Sequence, residues 1–371
     1  MRILHLVAGE KWTGTAAVVF DQTAALVAAG VEAQFGFVGD SPLASRLLPL
    51  GWARPLLLPA RHLLRFPRDV RTLAATLDRE PFDVVHCHGS HDHSVAAAAR
   101  RAARKKGPLL ARTIHNLDQV RADPLSRALL RGADALAFAN RAIAGKLGRE
   151  GPVHSPVVDP DRFRPGGKPA ARLLSLGVPE GSFVVGTVGK IAPGRGHREA
   201  IEVASTLPRD VVLLHVGKGE SRPELEARAA ALGSGARNFW AGYVEDDLPD
   251  HYRAMDVFLF PASGSEQGQR ALLEAMACGV PVVALDVPGV RDLVTHEREG
   301  FVVPRPADMA TALERLRRDS DERRLMGERA RARALEFGPG AFAREAREFY
   351  ARLLARKSST SLAWEAGDTA G

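Results

Sequence analysis

The sequence has little cysteine. Only Cys87 and Cys278 occur among its 371 residues, and both lie in apolar segments. Two isolated thiols supply neither a disulfide framework nor a zinc site made of cysteines. We therefore expect a reduced protein that resides in the cytoplasm.

Long apolar runs are also missing. No stretch of the sequence approaches the roughly 18 to 20 apolar residues that cross a bilayer. The opening residues 1–10 turn polar too early for a secretion signal, so we expect a first β-strand there. Because 45% of the residues are hydrophobic and 26% are charged, the composition is that of a folded globular protein.

The motifs of two common protein classes are absent. The chain has 51 lysines and arginines against 44 acidic residues, a formal net charge of +7, yet it shows no nucleic-acid-binding signature. No Gly-x-Gly-x-x-Gly follows the first strand of either half, which argues against an NAD enzyme. Residues 100–106 contain five cations and no acid. They indicate either a solvated helix end or a contact with an anionic membrane.

Short β-rich runs alternate with helical patterns along the whole chain, which indicates an α/β architecture with parallel sheets. Helical patterns lie between the candidate strands, for example at Thr15–Ala29 and Ser94–Arg104. The candidate strands are residues 2–8, 31–39, 81–89, 108–116 and 133–140 in the first half, and 182–191, 210–219, 254–261, 279–286 and 299–305 in the second.

A break in this pattern predicts two domains. Proline and glycine are dense at residues 151–170, and the length fits two domains at about 150 residues each. We predict Rossmann-like domains over residues 1–160 and 161–337, facing each other across a cleft. A helix over 338–356 is expected to pack back towards the N-terminal domain, and residues 357–371 to form a disordered tail.

The most informative segment covers residues 261–289. Glu266 lies in a loop of small residues after a candidate strand, and Glu274 lies eight positions later in the helix that follows. Carboxylates placed in this way can accept hydrogen bonds from ligand hydroxyls, while glycine lets a ligand approach the backbone amides. The pair suits a polyhydroxylated ligand. Two acids that only stabilise a helix start are the alternative.

This segment resembles the retaining, GT-B-fold glycosyltransferases of family 4, also called glycosyltransferase group 1. The resemblance rests on Glu266, on the run LLEAMACGVPVVA that contains Glu274, and on the pair Pro288–Gly289. It implies a GT-B fold whose N-terminal domain binds the acceptor and whose C-terminal domain binds the nucleotide sugar. It also implies that Glu274 binds the nucleotide ribose and that Glu266 binds hydroxyls of the donor sugar.

Residues 186–197 form a second candidate site. A strand that ends at Lys190 and Ile191, a Pro/Gly turn and a helix that begins near His197 place free amides beside Lys190 and Arg195. Such a helix start binds anions. The family has arginine first and lysine five residues later, whereas this chain has the reverse order. The resemblance further implies that Gly217 and Gly242 belong to the nucleotide site.

The resemblance implies that the first half contributes the acceptor site and part of the reaction centre. His115 resembles the family's histidine that faces the donor sugar, and Thr13 and Gly14 lie in the glycine loop expected to approach the phosphates. A cluster of imidazoles raises zinc as an alternative, but its spacing defines no helix-face ligand set, and we expect no metal. The cluster comprises His86, His88, His91, Asp92 and His93.

The resemblance implies a retaining, metal-independent hexosyltransferase-like enzyme. It needs no cofactor beyond its co-substrate, a nucleoside-diphosphate sugar, for which a UDP- or GDP-sugar is the expected choice. The expected acceptor is a saccharide or glycolipid of cell-envelope or lipopolysaccharide synthesis at the inner face of the membrane. Arg270, an extra cation between the two glutamates, is expected to touch donor or acceptor. A sugar-nucleotide-binding protein of the same architecture without turnover is the alternative.

Overall fold

The computed structural model describes residues 1–12, 14–59, 62–105, 107–116, 130–262 and 269–365, with side chains as far as residue 356. The chain divides into two compact units. The first comprises Met1–Val157 together with the chain from Pro339 onward, and the second comprises Val158–Gly338. The sequence placed the corresponding boundaries at residues 160/161 and 337/338.

The first unit is built on a six-stranded parallel sheet with the order β3-β2-β1-β4-β5-β6. Its strands are β1 (Arg2–Leu6), β2 (Glu32–Val38), β3 (Ala53–Leu57), β4 (Val84–Cys87), β5 (Leu109–Ile114) and β6 (Ala135–Phe138). Its helices before residue 158 include α1 (Thr15–Ala28), α2 (Ala44–Leu47), α3 (Arg65–Arg79), α4 (Ser90–Ala102) and α5 (Arg141–Leu147).

The second unit repeats this plan with a parallel sheet of order β12-β11-β10-β7-β8-β9. Its strands are β7 (Phe183–Val188), β8 (Val211–Val216), β9 (Asn238–Gly242), β10 (Val257–Phe260), β11 (Val282–Leu285) and β12 (Gly300–Val303). Its helices are α6 (Ala170–Ser175), α7 (His197–Ser205), α8 (Arg222–Ala231), α9 (Leu248–Arg253), α10 (Gln269–Ala277), α11 (Val290–Leu293), α12 (Pro306–Arg318) and α13 (Ser320–Leu335).

Both sheets have the same internal strand order. Counted from its own first strand, each runs 3-2-1-4-5-6, with the reversal between β1 and β4 in the first unit and between β7 and β10 in the second. In open parallel sheets, ligands bind beyond the carboxyl ends of the strands at such a reversal. The predicted α/β class is confirmed, and the reversals indicate where to look for the site.

Two strands, β3 and β9, were not predicted from the sequence, and both are edge strands of their sheets. Neither has the continuous apolar run of a central strand. β3 contains Arg54 and Pro55, and every residue of β9 is only half-buried. An edge strand packs against one neighbour only, so its hydrophobic pattern is weak.

The final helix, α14 (Pro339–Glu365), completes the core of the first unit. Phe342, Tyr350 and Leu353 are buried in one cluster with Ile3 and Leu26. The helix continues to Glu365, where no glycine or proline interrupts it, and residues 366–371 lie outside the described residues. The tail expected over residues 357–371 stays a prediction. No helix in the described part of the chain, α14 included, is both long and apolar enough to cross a membrane.

Removing the Phe342 side chain tests this packing. Phe342 is 6% exposed, so F342A leaves a cavity in the core and is expected to lower the free energy of unfolding by about 3 to 5 kcal/mol. Urea denaturation measures the change. R347A, on an exposed position of the same helix, is the matched control, and equal midpoints for the two variants would contradict the packing of α14.

Candidate functional site

Predicted site residues follow strand ends at the two reversals or one strand away from them. In the second unit, the loop after β7 holds Lys190 and Arg195. In the first unit, Gly14 follows β1 and precedes α1, while His115 is the first residue after β5. Thr13 and Glu266 lie outside the described residues, so their roles stay predictions.

The loop between β7 and α7 brings two cations to a helix start. β7 ends at Val188, short of its predicted end at Lys190 and Ile191, because the chain turns at Gly189. Lys190 Nζ lies 3.0 Å from Glu220 Oε1, and both side chains are more than half exposed. Such exposed ion pairs are weak, so a phosphate can compete with Glu220 for the ammonium group. Arg195 lies half-buried on the turn before α7.

Glycines allow the loops of the second unit to touch through their backbones. A Cβ on Gly217 would lie 1.9 Å from the carbonyl oxygen of Gly189. A Cβ on Gly219 would lie 1.9 Å from the carbonyl oxygen of Ile191. Gly217 N also donates to Gly242 O at 2.7 Å. The glycines therefore hold the ends of three neighbouring strands together, and the predicted contact of Gly217 and Gly242 with the nucleotide stays a prediction.

Gly196 brings the start of α7 against the chain that follows β10. A Cβ at this position would lie 2.6 Å from Ala262 N and 2.7 Å from the carbonyl carbon of Pro261. Its φ of 83° is also one that favours glycine. The helix start is therefore in direct contact with Pro261 and Ala262, the first residues after β10.

Glu274 on α10 is a buried carboxylate, only 5% exposed, with a hydrogen bond to each oxygen. Tyr252 Oη donates to Oε2 at 2.8 Å, and Arg270 Nε donates to Oε1 at 2.9 Å. Burial, reinforced by the Glu274 charge, raises the pKa of Tyr252 well above its usual value, so the phenol keeps its proton. A carboxylate offers about four lone-pair sites, which leaves room for ligand hydroxyls. The predicted contact of Arg270 with a substrate stays a prediction.

A pair of buried histidines supports the first turn of α7. His197 Nδ1 lies 3.1 Å from His215 Nδ1, and the His215 ring stacks on Trp240 with a centroid distance of 4.0 Å. Burial lowers the pKa of His197 to about 4 and that of His215 to about 3, so both rings are neutral at pH 7. No motif in the sequence indicated a role for this pair.

In the first unit, Gly14 forms the start of α1. Its φ of 50° lies in the left-handed region, and its carbonyl oxygen accepts a hydrogen bond from Val18 N at 3.2 Å. Two residues before Gly14, the Trp12 ring packs edge-on against the Phe20 ring, with a centroid distance of 4.9 Å. The glycine loop is therefore anchored to α1 on both sides of residue 13.

His115, 6% exposed, is hydrogen-bonded to two further histidines in series. His115 Nε2 lies 3.0 Å from His88 Nδ1, and His88 Nε2 lies 3.0 Å from His5 Nδ1. No motif in the sequence indicated His5. Its signal was a polar residue among Ile3, Leu4 and Leu6, the apolar residues of β1.

The series continues to the C-terminal helix. Tyr350 Oη on α14 lies 3.3 Å from His5 Nε2 and 2.7 Å from His86 Nδ1. His86 Nε2 in turn lies 2.8 Å from Thr113 Oγ1. Tyr350 is separated from His5 by 345 residues, so no local pattern pointed to it.

The other members of the predicted imidazole cluster do not join this series. α4 begins at Ser90, four residues before its predicted start, because Asp92 Oδ2 caps it by accepting from His88 N at 2.7 Å and Gly89 N at 2.9 Å. His91 Nε2 lies 2.9 Å from Asp69 Oδ2. His93 Nδ1 lies 3.3 Å from Arg112 Nη1. Residues 86–93 therefore serve several separate contacts rather than one ligand set.

His5, His86 and His88 have the ligand types and proximity of a metal site in the described part of the chain. Their nitrogens, however, are used in hydrogen bonds, and those of His5 and His88 face each other across 3.0 Å. Burial lowers the pKa of His5 and of His115 to about 3, and lowers those of His86 and His88 well below the usual value. The rings are neutral at pH 7. The expectation of a metal-free site stays a prediction.

Comparison with known proteins identifies the family. A family model described as "Glycosyl transferases group 1" matches residues 174–333, and one described as "Glycosyl transferase 4-like domain" matches residues 13–182. The chain belongs to the group 1 glycosyltransferases. This confirms the family that residues 261–289 indicated.

Two curated relatives carry names with specific acceptors. The 2-deoxystreptamine N-acetyl-D-glucosaminyltransferase of Streptomyces fradiae is 31% identical over 60% of this chain and 59% of its own length. The D-inositol 3-phosphate glycosyltransferase of Geodermatophilus obscurus is 34% identical over 69% of this chain and 64% of its own length. The chain thus spans less than two thirds of either relative.

The fold is that of solved glycosyltransferases. The crystal structure of Anabaena HepE in complex with UDP superposes with a TM-score of 0.79 at 21% identity, covering 94% of this chain and 99% of that one. The predicted GT-B fold is confirmed.

Because of its buried histidines, we expect the folded protein to lose stability as the pH falls. Their folded-state pKa values of about 3 to 4 lie below 6.5, so the unfolded chain binds protons that the folded chain does not. The free energy of unfolding should therefore fall between about pH 6.5 and pH 4, by about 1.4 kcal/mol per pH unit for each such ring.

Urea denaturation at pH 7, 6 and 5 measures this slope. His154 is 2% exposed, and burial lowers its pKa to about 4. H154Q removes this ring and should make the slope shallower, whereas H62Q, at an exposed position, should leave the slope unchanged. A free energy of unfolding that stays constant from pH 7 to pH 5 would contradict neutral burial.

Proposed function

We propose that this protein transfers a sugar from a nucleoside-diphosphate sugar to a hydroxyl acceptor, with retention of the anomeric configuration and without a bound metal. The observation that carries the proposal is the Glu274 carboxylate. It is buried on the helix that follows β10, at the strand reversal, and is held by Tyr252 and Arg270. In the proposed complex its remaining lone pairs accept hydrogen bonds from the ribose hydroxyls.

The phosphates would lie at the neighbouring loop. When the bond to the sugar breaks, negative charge develops on the β-phosphate, and Lys190, Arg195 and the first amides of α7 would stabilise it. These groups would take the place of a metal ion. Glu266 and His115 would orient the sugar. The leaving phosphate itself would accept the proton of the acceptor hydroxyl, so no protein nucleophile is needed.

For the acceptor, we propose a small ring polyol. The two curated relatives are named for transfer to 2-deoxystreptamine and to D-inositol 3-phosphate, both compact polyhydroxylated rings. A cell-envelope saccharide or glycolipid is the second candidate. It is favoured by the basic surface at Arg101, Arg104 and Lys105, which are exposed near the end of α4. Salt-sensitive binding to anionic vesicles would support the second candidate.

Diphosphate binding tests the site. Thermal shifts with UDP, GDP, ADP and dTDP, each with and without EDTA, should show stabilisation by one of them that survives the chelator. E274A and the isosteric E274Q should weaken the binding of that diphosphate about 10- to 100-fold. This is the effect expected for the loss of about 1 to 3 kcal/mol of charged hydrogen bonding. E328A, which removes an exposed carboxylate on α13, is the control.

The outcomes separate the alternatives. A shift abolished by EDTA would contradict the metal-free proposal. Nucleotide binding without transfer to any polyol, saccharide or glycolipid acceptor would favour a non-catalytic binding protein of the same architecture.

The stereochemical proposal has its own test. Proton NMR of the product formed from an α-linked donor should show an α-linked sugar. A β-linked product would rule out retention, whatever the diphosphate experiment shows.

A further inference from the structure

Six buried side chains connect the proposed sugar-facing histidine to the C-terminal helix. Each is at most 6% exposed, and each lies within 3.3 Å of the next through hydrogen-bonding atoms. We call this series the histidine chain. Its members, in order, are His115, His88, His5, Tyr350, His86 and Thr113.

The chemistry of neutral imidazole makes such a series directional. A neutral ring has one nitrogen that donates and one that accepts, and a hydroxyl has one proton to donate. If one member donates to the next, that ring must donate onward from its other nitrogen. The histidine chain therefore has only two orientations, and each orientation specifies the tautomer of every ring.

Thr113 at the end of the histidine chain selects between them. Its side chain is fully buried, and among the described residues its hydroxyl has His86 Nε2 as its hydrogen-bond partner. If this hydroxyl accepted a hydrogen bond from His86 Nε2–H, its own O–H would have no acceptor. A buried donor without an acceptor costs about 1 to 3 kcal/mol. Thr113 therefore donates to His86 Nε2.

The orientation then propagates to His115. With Nε2 accepting, His86 donates from Nδ1 to the Tyr350 oxygen, and Tyr350 donates to His5 Nε2. His5 donates from Nδ1 to His88 Nε2, and His88 donates from Nδ1 to His115 Nε2. All four rings carry their proton on Nδ1, although the Nε2–H tautomer is the more abundant one in water.

We propose that Thr113 and Tyr350 are positioning residues that set the tautomer of His115 through the histidine chain. His115 then accepts at Nε2 and carries its proton on Nδ1, so at Nδ1 it is a hydrogen-bond donor and not a base. This suits a residue that orients a sugar oxygen rather than one that removes a proton. The role towards sugar rests on the proposed function, whereas the tautomer does not.

Nitrogen NMR of the full chain, labelled with ¹⁵N-histidine and free of nucleotide, tests the tautomers directly, because protonated and unprotonated ring nitrogens resonate far apart. The wild-type protein at pH 7 should show Nδ1–H for the four chain histidines. T113V removes the hydroxyl that selects the orientation and should give His115 a mixture of tautomers. T113S retains the hydroxyl and should restore the single form.

Two further variants separate the hydrogen bond from packing. Y350F keeps the ring but cuts the histidine chain between His5 and His86, so it should also give mixed tautomers at His115. F349L changes a neighbouring ring that contacts His86 without a hydrogen bond, with a centroid distance of 6.1 Å, and should leave the tautomers unchanged.

Three results would overturn the proposal: Nε2–H or imidazolium at any histidine of the histidine chain in the wild-type protein, an unchanged His115 tautomer in both T113V and Y350F, or stoichiometric zinc on these rings in the purified protein.

Transfer kinetics test the role of His115 towards the sugar. The kcat should fall about tenfold in T113V and Y350F and recover in T113S, with KM for the donor unchanged. If the tautomers shift but kcat does not, the tautomer assignment stands and the sugar-orienting role of His115 is wrong.

Discussion

The candidate site depends on the parallel pairing of β1 with β4 and of β7 with β10. In the first unit this pairing places His5 directly opposite His86, so that two histidines distant in sequence become neighbours in the sheet. A shift of register by one residue would turn one of them to the opposite face and break the series that ends at His115. In the second unit the pairing brings the loops after β7 and β10 together, and Gly196 lets their backbones touch.

The two units bury polar groups in different ways. Glu274 is kept in place by a phenol and a guanidinium, and a buried carboxylate needs such partners because its desolvation is costly. The four histidines of the histidine chain avoid that cost by remaining neutral. Their low pKa values follow from burial first and from the neighbouring rings second. A neutral series has no charge to compensate, but every ring must find both a donor and an acceptor.

The sequence predicted the parts of the fold that have local signals. Central strands with continuous apolar runs were found, whereas the half-buried edge strand β9 was not. The start of α4 was placed four residues late because Asp92 caps the helix by reaching back to the amides of His88 and Gly89. Glu274 was recognised from its motif. Its partner Tyr252, 22 residues earlier, had no signal, because the contact exists only once α9 and α10 pack together.

The first unit is discontinuous in sequence, and this has a consequence for how its site forms. The first 157 residues supply the whole sheet, but Phe342, Tyr350 and Leu353 of α14 fill part of the core on which it rests. In an unfolded chain, contacts between residues so far apart are costly to form, because a long loop must be closed. Tyr350 also joins His5 to His86. The histidine chain is therefore complete only once α14 has packed against the sheet. The hydrogen bonding of His115 thus depends on residues beyond the N-terminal half of the chain.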